Sequence, residues 1–595
     1  MAISVQDDRN TNQSQSLKAR TVVDPAIKFD RKSTNQRWDR IRIEGWKWRP
    51  AWREIRDELA PTRGMFEFEN PNWGKRIDHE RIINSHAMEA LGTLASGMVS
   101  GLTSPSRPWF SLGTTDPDLS DFGPVKEWLA IVQARIYSVL AKSNIYQTLH
   151  NDYEEIGAFG TCAHILLPDY KTVIRGRNFT IGEYFIGNGP DNRVNSFARQ
   201  YWMQVGQIVE EYGFANCSKF VQNAYKQNNV DSWRLIRHLI EPNDDRVETM
   251  ANWKGMAFRS VTWEEAMPAD TALRLSGFQE FPVQAPRWQI TTTADSYGRS
   301  PGWKALGDTK MLQKMEKDKL KALDKVVDPP TQADASVDAV NLLPGGLTRS
   351  SSTVPNAGVK PVYQIQPDFK AVTQMIQEVE ARIDRIFYAD LFKMMMNDDR
   401  DEPATAREIV ERHEEKLQML GPVIEALEFE LLDPMLDRVF QVMTRAQLIP
   451  PPPVDLQGHE LKIDYISMLA VAQKMVGTTA IEQTVRFAGG MVAVFPEAAD
   501  NIDADEAIRE YADMTGVPAK MIRTPQDVSQ IRAQRQKQQQ AEQQAQTMER
   551  MAQGAQTLSQ TPVGQNSALD QVMAGMGGAP TATGGGGGAP PPGGK

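Results

Sequence analysis

Four carboxylates crowd into one short stretch, Asp398, Asp399, Asp401 and Glu402, with Lys393 and Arg400 beside them. Clustered carboxylates hold divalent cations or work as general acids. The stretch lacks the glycine turn and the closing glutamate of a calcium loop. The reading we favour is a solvated loop whose negative charge precedes a positive helix N-terminus. The seven histidines are scattered. His79 and His86 lie two helical turns apart, and a surface or packing role suits them better than a metal. There is no phosphate-binding G-x-x-x-x-G-K-[ST] loop and no H-E-x-x-H helix. Gly176 and Gly182 flank Arg177, but their spacing makes no dinucleotide fingerprint. The two cysteines, Cys162 and Cys217, form neither a disulfide framework nor a zinc site and suit a reducing compartment. The sequence therefore predicts no catalytic residue, no metal and no cofactor.

Cations are more suggestive. Lys310, Lys314, Lys317, Lys321 and Lys325 recur at steps of three and four. At roughly 100° per residue they share one narrow arc of a helix, opposite Met311, Leu312, Met315, Ala322, Leu323 and Val326. A solvated face and a functional face both remain open. Residues 37–56 interleave arginines with Trp38, Trp46, Trp48 and Trp52, as nucleic-acid patches do. An amphipathic helix with core tryptophans is the favoured alternative, and a subunit interface is a third.

These groups sit in a chain of 595 residues with 66 Lys and Arg against 76 Asp and Glu, a net charge of −10. The length implies several packed units. An acidic balance argues against tight, non-specific nucleic-acid binding. The first residues lack an apolar signal core, and no run approaches the roughly 18 apolar residues of a membrane span. The expectation is a soluble intracellular chain with no membrane contact.

The elements that must position the cations follow from periodicity. Residues 34–60 read as a helix interrupted near Gly45 and Pro50, and Asp78–Leu102 as a second, with Gly92, Gly97 and Gly101 favouring close approach. Mixed α+β texture follows to about Ser300: helices at Glu127–Leu140 and Gln204–Tyr212, strands at Thr161–Leu167, Ser232–Ile240 and Trp288–Thr293. Helices then dominate. The first carries the lysines. The second places Phe369, Val372, Ile376, Val379, Ile383 and Ile386 in one apolar stripe. The third opens at a capping box, Thr405-Ala406-Arg407-Glu408, and runs to about Arg445, roughly 60 Å, with bends expected at Gly421-Pro422 and Pro434. Leu461–Ile466 alternates like a strand. The C-terminal Gln-rich and Gly/Pro-rich segments cannot bury a core.

The segment Leu102–Leu112, LTSPSRPWFSL, resembles the signature of podovirus head-to-tail connector, or portal, proteins. The run from Arg81 to Gly101 is similar to the helix before it in that family. Further collinear likenesses are Gly157–Gly160, Tyr297–Pro301, Thr405–Val410, Leu420–Pro422, and the proline run with Asp464–Ile466. Together they cover residues 35–515. The resemblance implies a mainly helical α+β portal fold. After a disordered 1–33, the wing is 34–300. The first stem helix is 301–326, the clip 327–366 and the second stem helix 367–392. The tunnel loop is 393–403, a spine helix with return strand 404–470, and the crown 471–515. Residues 516–595 carry no role.

The same resemblance implies a closed ring of this chain, a dodecamer. Its partners would be the terminase packaging motor, capsid and scaffolding proteins, tail adaptor and internal core proteins, and double-stranded DNA passing non-specifically through the channel. The five lysines, Lys393, Asp398, Asp399, Arg400, Asp401 and Glu402 would face that channel, and the 369–386 stripe would pack subunits. A nucleic-acid-processing enzyme and a different helical scaffold are the alternatives.

Overall fold

A computed structural model describes residues 30–559, apart from 67–81, 117–118, 120–121, 248, 251, 268–270, 294, 334, 336, 338–339, 342–347, 350–358, 363–367, 397–419, 457–460, 466–482, 492–502, 516–522 and 524. His79, Asp398, Asp399, Arg400, Asp401, Glu402 and the capping box at Thr405 lie outside the described residues. The contacts divide the chain into Met1–Ala519 and Lys520–Lys595.

In the larger unit, α1 (Arg31–Glu58) starts where the Asp30 carboxylate accepts from Ser33 N–H. It buries Thr34, Trp38, Gly45, Trp52 and Ile55 at helical spacing. The expected interruption is absent: α1 runs through both Gly45 and Pro50. A Cβ at Gly45 would lie 2.6 Å from the Phe185 ring and 2.7 Å from the Tyr297 hydroxyl, so the glycine serves packing. Pro50 is exposed, as is Trp46, whose carbonyl loses its α-helical partner, so water can satisfy it. The tryptophans divide accordingly. Trp38 and Trp52 are core, while Trp46 is exposed beneath Arg42 and Arg49.

Helices α2 (His86–Leu102), α3 (Gly123–Lys142) and α4 (Ile145–Phe159) follow, with β1 (Phe110–Thr114) between the first two. Of the glycines in α2, Gly97 does bring two elements close: a Cβ there would strike the Phe392 ring at 2.2 Å. Gly92 and Gly101 face open space instead. The middle of the chain supplies β2 (Ala163–Asp169), β3 (Val173–Phe179), β4 (Tyr184–Asn188) and β5 (Val194–Gln204). Next come α5 (Val205–Tyr212), α6 (Lys219–Lys226), β6 (Trp233–Pro242), β7 (Phe258–Glu264), β8 (Arg274–Phe278) and β9 (Val283–Gln284). They form antiparallel sheets ordered β4-β5-β6-β7-β8 and β3-β2-β9.

Trp288–Thr293, expected as a strand, is not one. Arg287 makes a single bridge to Thr161, Trp288 N–H goes to the Gly160 carbonyl at 2.9 Å, and residues 291–293 are exposed. This strap leads into α7 (Pro301–Val327). A small hairpin, β10 (Thr331–Ala333) with β11 (Val359–Pro361), separates it from α8 (Phe369–Ile386) and α9 (Ala389–Met396). The described part of the third long helix is α10 (Gly421–Leu427), a π-helical turn (Glu428–Leu432) and α11 (Asp433–Arg445). The distortion thus begins one turn before Pro434. Strand β12 (Leu461–Tyr465) pairs with β1, Phe110 opposite Tyr465. Residues 483–491 and α12 (Ala504–Thr515) are helical. In the smaller unit, α13 (Pro525–Ser559) is a single helix of 35 residues. The fold is α+β with helix predominating, and no described helix is long and apolar enough to cross a membrane.

Two buried arginines lock the third helix onto the sheets. Arg287 reaches Glu430 from its backbone N–H (2.9 Å) and Nε (3.1 Å), and its Nη2 donates to the Asn192 carbonyl (2.7 Å). Arg438 Nε donates to the Leu166 carbonyl at 2.9 Å, and its Nη1 lies 3.2 Å from Glu280. Arg287→Ala leaves Glu430 without its cation in a largely buried setting, which costs about 3–5 kcal/mol. A fall of that size in the unfolding free energy obtained from urea titration is the expected outcome.

Candidate functional site

The lysine-bearing helix is launched from the core. Ser300 caps α7 by accepting from Trp303 N–H, and Pro301 takes the first position, where its missing N–H costs nothing. Its buried residues are Pro301, Gly302, Ala305, Thr309, Leu312 and Gln313, all in its first half. Lys310, Lys314, Lys317, Lys321 and Lys325 are all exposed, as their shared arc predicts. Lys310 Nζ sits 2.9 Å from Glu54 on α1; both partners are exposed, so the pair adds little. The opposing apolar face differs from expectation. Leu312 is buried and Met315 half-buried, but Met311, Leu323 and Val326 are exposed. The buried face is centred instead on Ala305, Thr309 and Leu312, on a helix whose neighbours are α8, α1, α4 and α2.

Helix α8 begins at Asp368, which accepts from Lys370 and Ala371 N–H groups. Ile376, Val379 and Ile383 are buried in this chain's own core, with Phe369, Val372 and Ile386 half-buried beside them. The stripe therefore closes against α7, α2 and α9 within one chain. Polar clamps hold this arrangement. Arg382 meets Asp308 at 3.1 Å, and His86 Nε2 meets Asp384 at 3.0 Å. Lys393 folds back onto Asp384 at 3.0 Å, so it is tied to α8.

Sequence reasoning assigned no role to several side chains that matter here. Gln313 Oε1 accepts from Ile83 and Asn84 N–H groups, and its Nε2 donates to the Asn84 carbonyl at 2.8 Å. A glutamine among Ala305, Thr309 and Leu312 on one helical face was the available signal. In the 102–112 signature, Arg107 Nη2 donates to the Ser100 and Gly101 carbonyls and so satisfies the C-terminus of α2. Trp109 stacks parallel to Tyr465 and, with Phe110, donates its backbone N–H to the Tyr137 hydroxyl.

One buried constellation has the residue types of catalysis. His164 Nδ1 lies 2.7 Å from Asp152, and Cys162 is nearby. Burial first, then the Asp152 charge, pushes the Cys162 thiol well above its usual range. A nucleophile must be a thiolate and must be reached. These side chains are at most 1% exposed, so they pack. Among the described residues no cluster of His, Cys, Asp or Glu is arranged to hold a metal ion.

Residues 31–522 match the bacteriophage head to tail connecting protein family, and the chain belongs to it. The probable portal protein of Bordetella phage BPP-1 is 38% identical over 555 residues, covering 93% of this chain and all of that one. The portal protein of Salmonella phage epsilon15 is 40% identical over 533 residues, covering 89% of this chain and 95% of its own length. A chain from the neck of an empty gene transfer agent particle is 12% identical, covering 76% of this chain and 96% of that one, at a TM-score of 0.33, too low to carry an argument. The family is structural.

The two faces of the α7–α8 pair differ in what they contribute to stability. Changing Lys314, Lys317, Lys321 and Lys325 to Gln shifts stability by less than about 0.5 kcal/mol per site. Ile383→Asp places an unpaired charge in the core and costs about 3 kcal/mol or more. Urea unfolding of both variants checks the contrast.

Proposed function

We infer that this chain is the portal subunit of a short-tailed phage. Copies close into a ring at one capsid vertex of the virion, and double-stranded DNA enters and leaves through the central channel. The ring, a dodecamer, docks the packaging motor and then the tail adaptor, and it meets capsid, scaffolding and internal core proteins. The relatives named as portal proteins support this reading.

The observation that carries it is an apolar face that outruns its cover. On α7, Ala305, Thr309 and Leu312 share an arc of about 80° with Leu320, Leu323 and Val327. The first three are buried, yet Leu320 is 48% exposed, Leu323 46% and Val327 76%. Met375 on α8 is 57% exposed at the same end of the pair. A continuous apolar face half covered by its own chain calls for a neighbour, and a head-to-tail ring supplies one on either side. The lysines occupy the next arc round the helix, so lateral packing leaves them free to face DNA, with residues 393–403 as the constriction. DNA must slide, and each tight phosphate contact adds affinity. A modest lysine face offset by Asp398, Asp399, Asp401 and Glu402, with Arg400 and Lys393 between, guides without trapping.

Negative-stain images of the purified protein should show rings with a central hole; globular monomers would sink the reading. Changing Leu320, Leu323 and Val327 together to Ser should reduce the mass seen by light scattering to that of small species while the protomer's unfolding free energy in urea stays within about 1 kcal/mol, because these residues are exposed in the protomer.

The lysine face has its own test. With Lys310, Lys314, Lys317, Lys321 and Lys325 all changed to Glu, rings should still form, but in vitro packaging into proheads should fall. The defect should be larger at low salt, where screening is weaker. Full packaging at both salt concentrations would place the lysines on the outer wall.

A further inference from the structure

The turn Glu428–Leu432 is wider than α-helical: Asp433 N–H bonds to the Glu428 carbonyl, five residues back. Its position follows from Pro434, which has no N–H for the Glu430 carbonyl four residues earlier. A π turn brings residues five apart towards one side of the helix. Those residues here are Glu428 and Asp433, both acidic. Glu428 feels the charges of Asp433 and Glu425, and Asp437, one turn further on, feels that of Asp433.

Among the described residues, none of the groups that other elements present to the turn is bonded to the Glu428 carboxylate. From β12, Tyr465 donates its hydroxyl to Asp433. Arg193, ahead of β5, lies 3.7 Å from the centre of the Phe429 ring and eases the charge of Asp437. Arg287 is committed to Glu430. The influences on Glu428, burial first and then Asp433 and Glu425, all favour its neutral form, and its carboxyl is pushed up to about 7.

We propose that this π turn is a proton-sensitive joint. With Glu428 protonated, it and Asp433 share one side of the turn. With Glu428 ionised, the cost of its partly buried charge, together with repulsion from Asp433 and Glu425, opens the turn and loosens the seat of α10 and α11 on Arg193 and Arg287. In the opened turn Glu428 regains an ordinary carboxylate near 4.3. The closed turn therefore holds a proton that the open one releases. Opening is rare at low pH, grows by about tenfold per pH unit between roughly 5 and 7, and levels off above 7. The joint works across the window around neutrality and makes no use of the oligomeric reading.

Hydrogen exchange of the amides of residues 428–433, read by mass spectrometry on the full-length protein and corrected for intrinsic rates, tests this. In the wild type the opening equilibrium should rise about tenfold between pH 5.5 and 6.5 and be flat from 7.5 to 8.5. Glu428→Gln, which mimics the protonated acid, should keep the turn protected and remove the slope. Asp433→Asn should move the sloping window to lower pH. A flat wild-type profile, or an unchanged slope in Glu428→Gln, overturns the proposal. An unmoved window in Asp433→Asn overturns the role given to Asp433.

Discussion

The contact between the backbones of Gly160 and Gly298 sets where α7 begins and in what direction it leaves the core. Gly160 ends α4 at φ +84°, where an L side chain is strained, and a Cβ there would lie 2.3 Å from the Gly298 carbonyl oxygen. A Cβ on Gly298 would lie 2.4 Å from the Gly160 carbonyl oxygen, so neither position admits a side chain. Hydrogen bonds close the joint. Gly298 N–H donates to Thr161 Oγ1 at 2.9 Å, and Ser300 Oγ donates to the Ala158 carbonyl at 2.7 Å while capping α7. Gly302, in the first turn of α7, lies as close to the Ala158 carbonyl. Tyr297 then ties in α1 and β4, with its ring 4.9 Å from that of Trp52 and its hydroxyl accepting from Ile186 N–H. The exposed half of α7, with its lysines and uncovered leucines, is held out from this one junction.

Much of this arrangement was readable because long helices repeat one physical demand many times. The apolar stripe of α8 and the lysine arc of α7 each recur over several turns, so one misleading residue cannot hide them. The strands β2, β6 and β12 were legible too, β12 through its alternation, whereas β5 carried no signal that was read. Single-residue effects were not. Gly45 and Pro50 carry the signal of a break, yet α1 is continuous, because the close approach of Phe185 and the solvent beside Pro50 are tertiary facts. Trp288–Thr293 has strand-like composition, but Trp288 gives its N–H to Gly160 and residues 291–293 lie in solvent. The motifs at Gly157–Gly160 and Tyr297–Pro301 could each be seen, whereas their mutual contact across more than a hundred residues could not.

The site shows the same division. Which helix face carries the lysines follows from angle alone, and all five are exposed. Which apolar residues are covered does not, because cover depends on where the neighbouring helices stop. Val326 lies within about 40° of Leu312 in a helical projection, but it falls beyond the first half of α7, where all its buried residues lie, and is exposed. The clamps that fix the pair, Gln313 on the 83–84 backbone and His86 on Asp384, are polar groups within apolar surroundings. Burying such groups is favourable only once their partners are in place, so composition cannot announce them.

The two joints of this structure are neighbours along the chain. Trp288 gives its N–H to Gly160 at the junction that aims α7, and Arg287, one residue earlier, holds Glu430 in the π turn. A change in the width of that turn acts on Glu430, and Glu430 is bound to the backbone N–H of Arg287 as well as to its guanidinium. A backbone bond transmits displacement more directly than a flexible side chain does, since few torsions lie between the two ends. The long helix through Glu428–Leu432 and the strap that leads to Pro301 are thus bonded at adjacent residues, with only the φ and ψ of Arg287 between the two N–H groups. Two contacts that fix the third long helix and the start of α7 therefore rest on adjacent residues of one strap, which is why neither could be read from its own stretch of sequence.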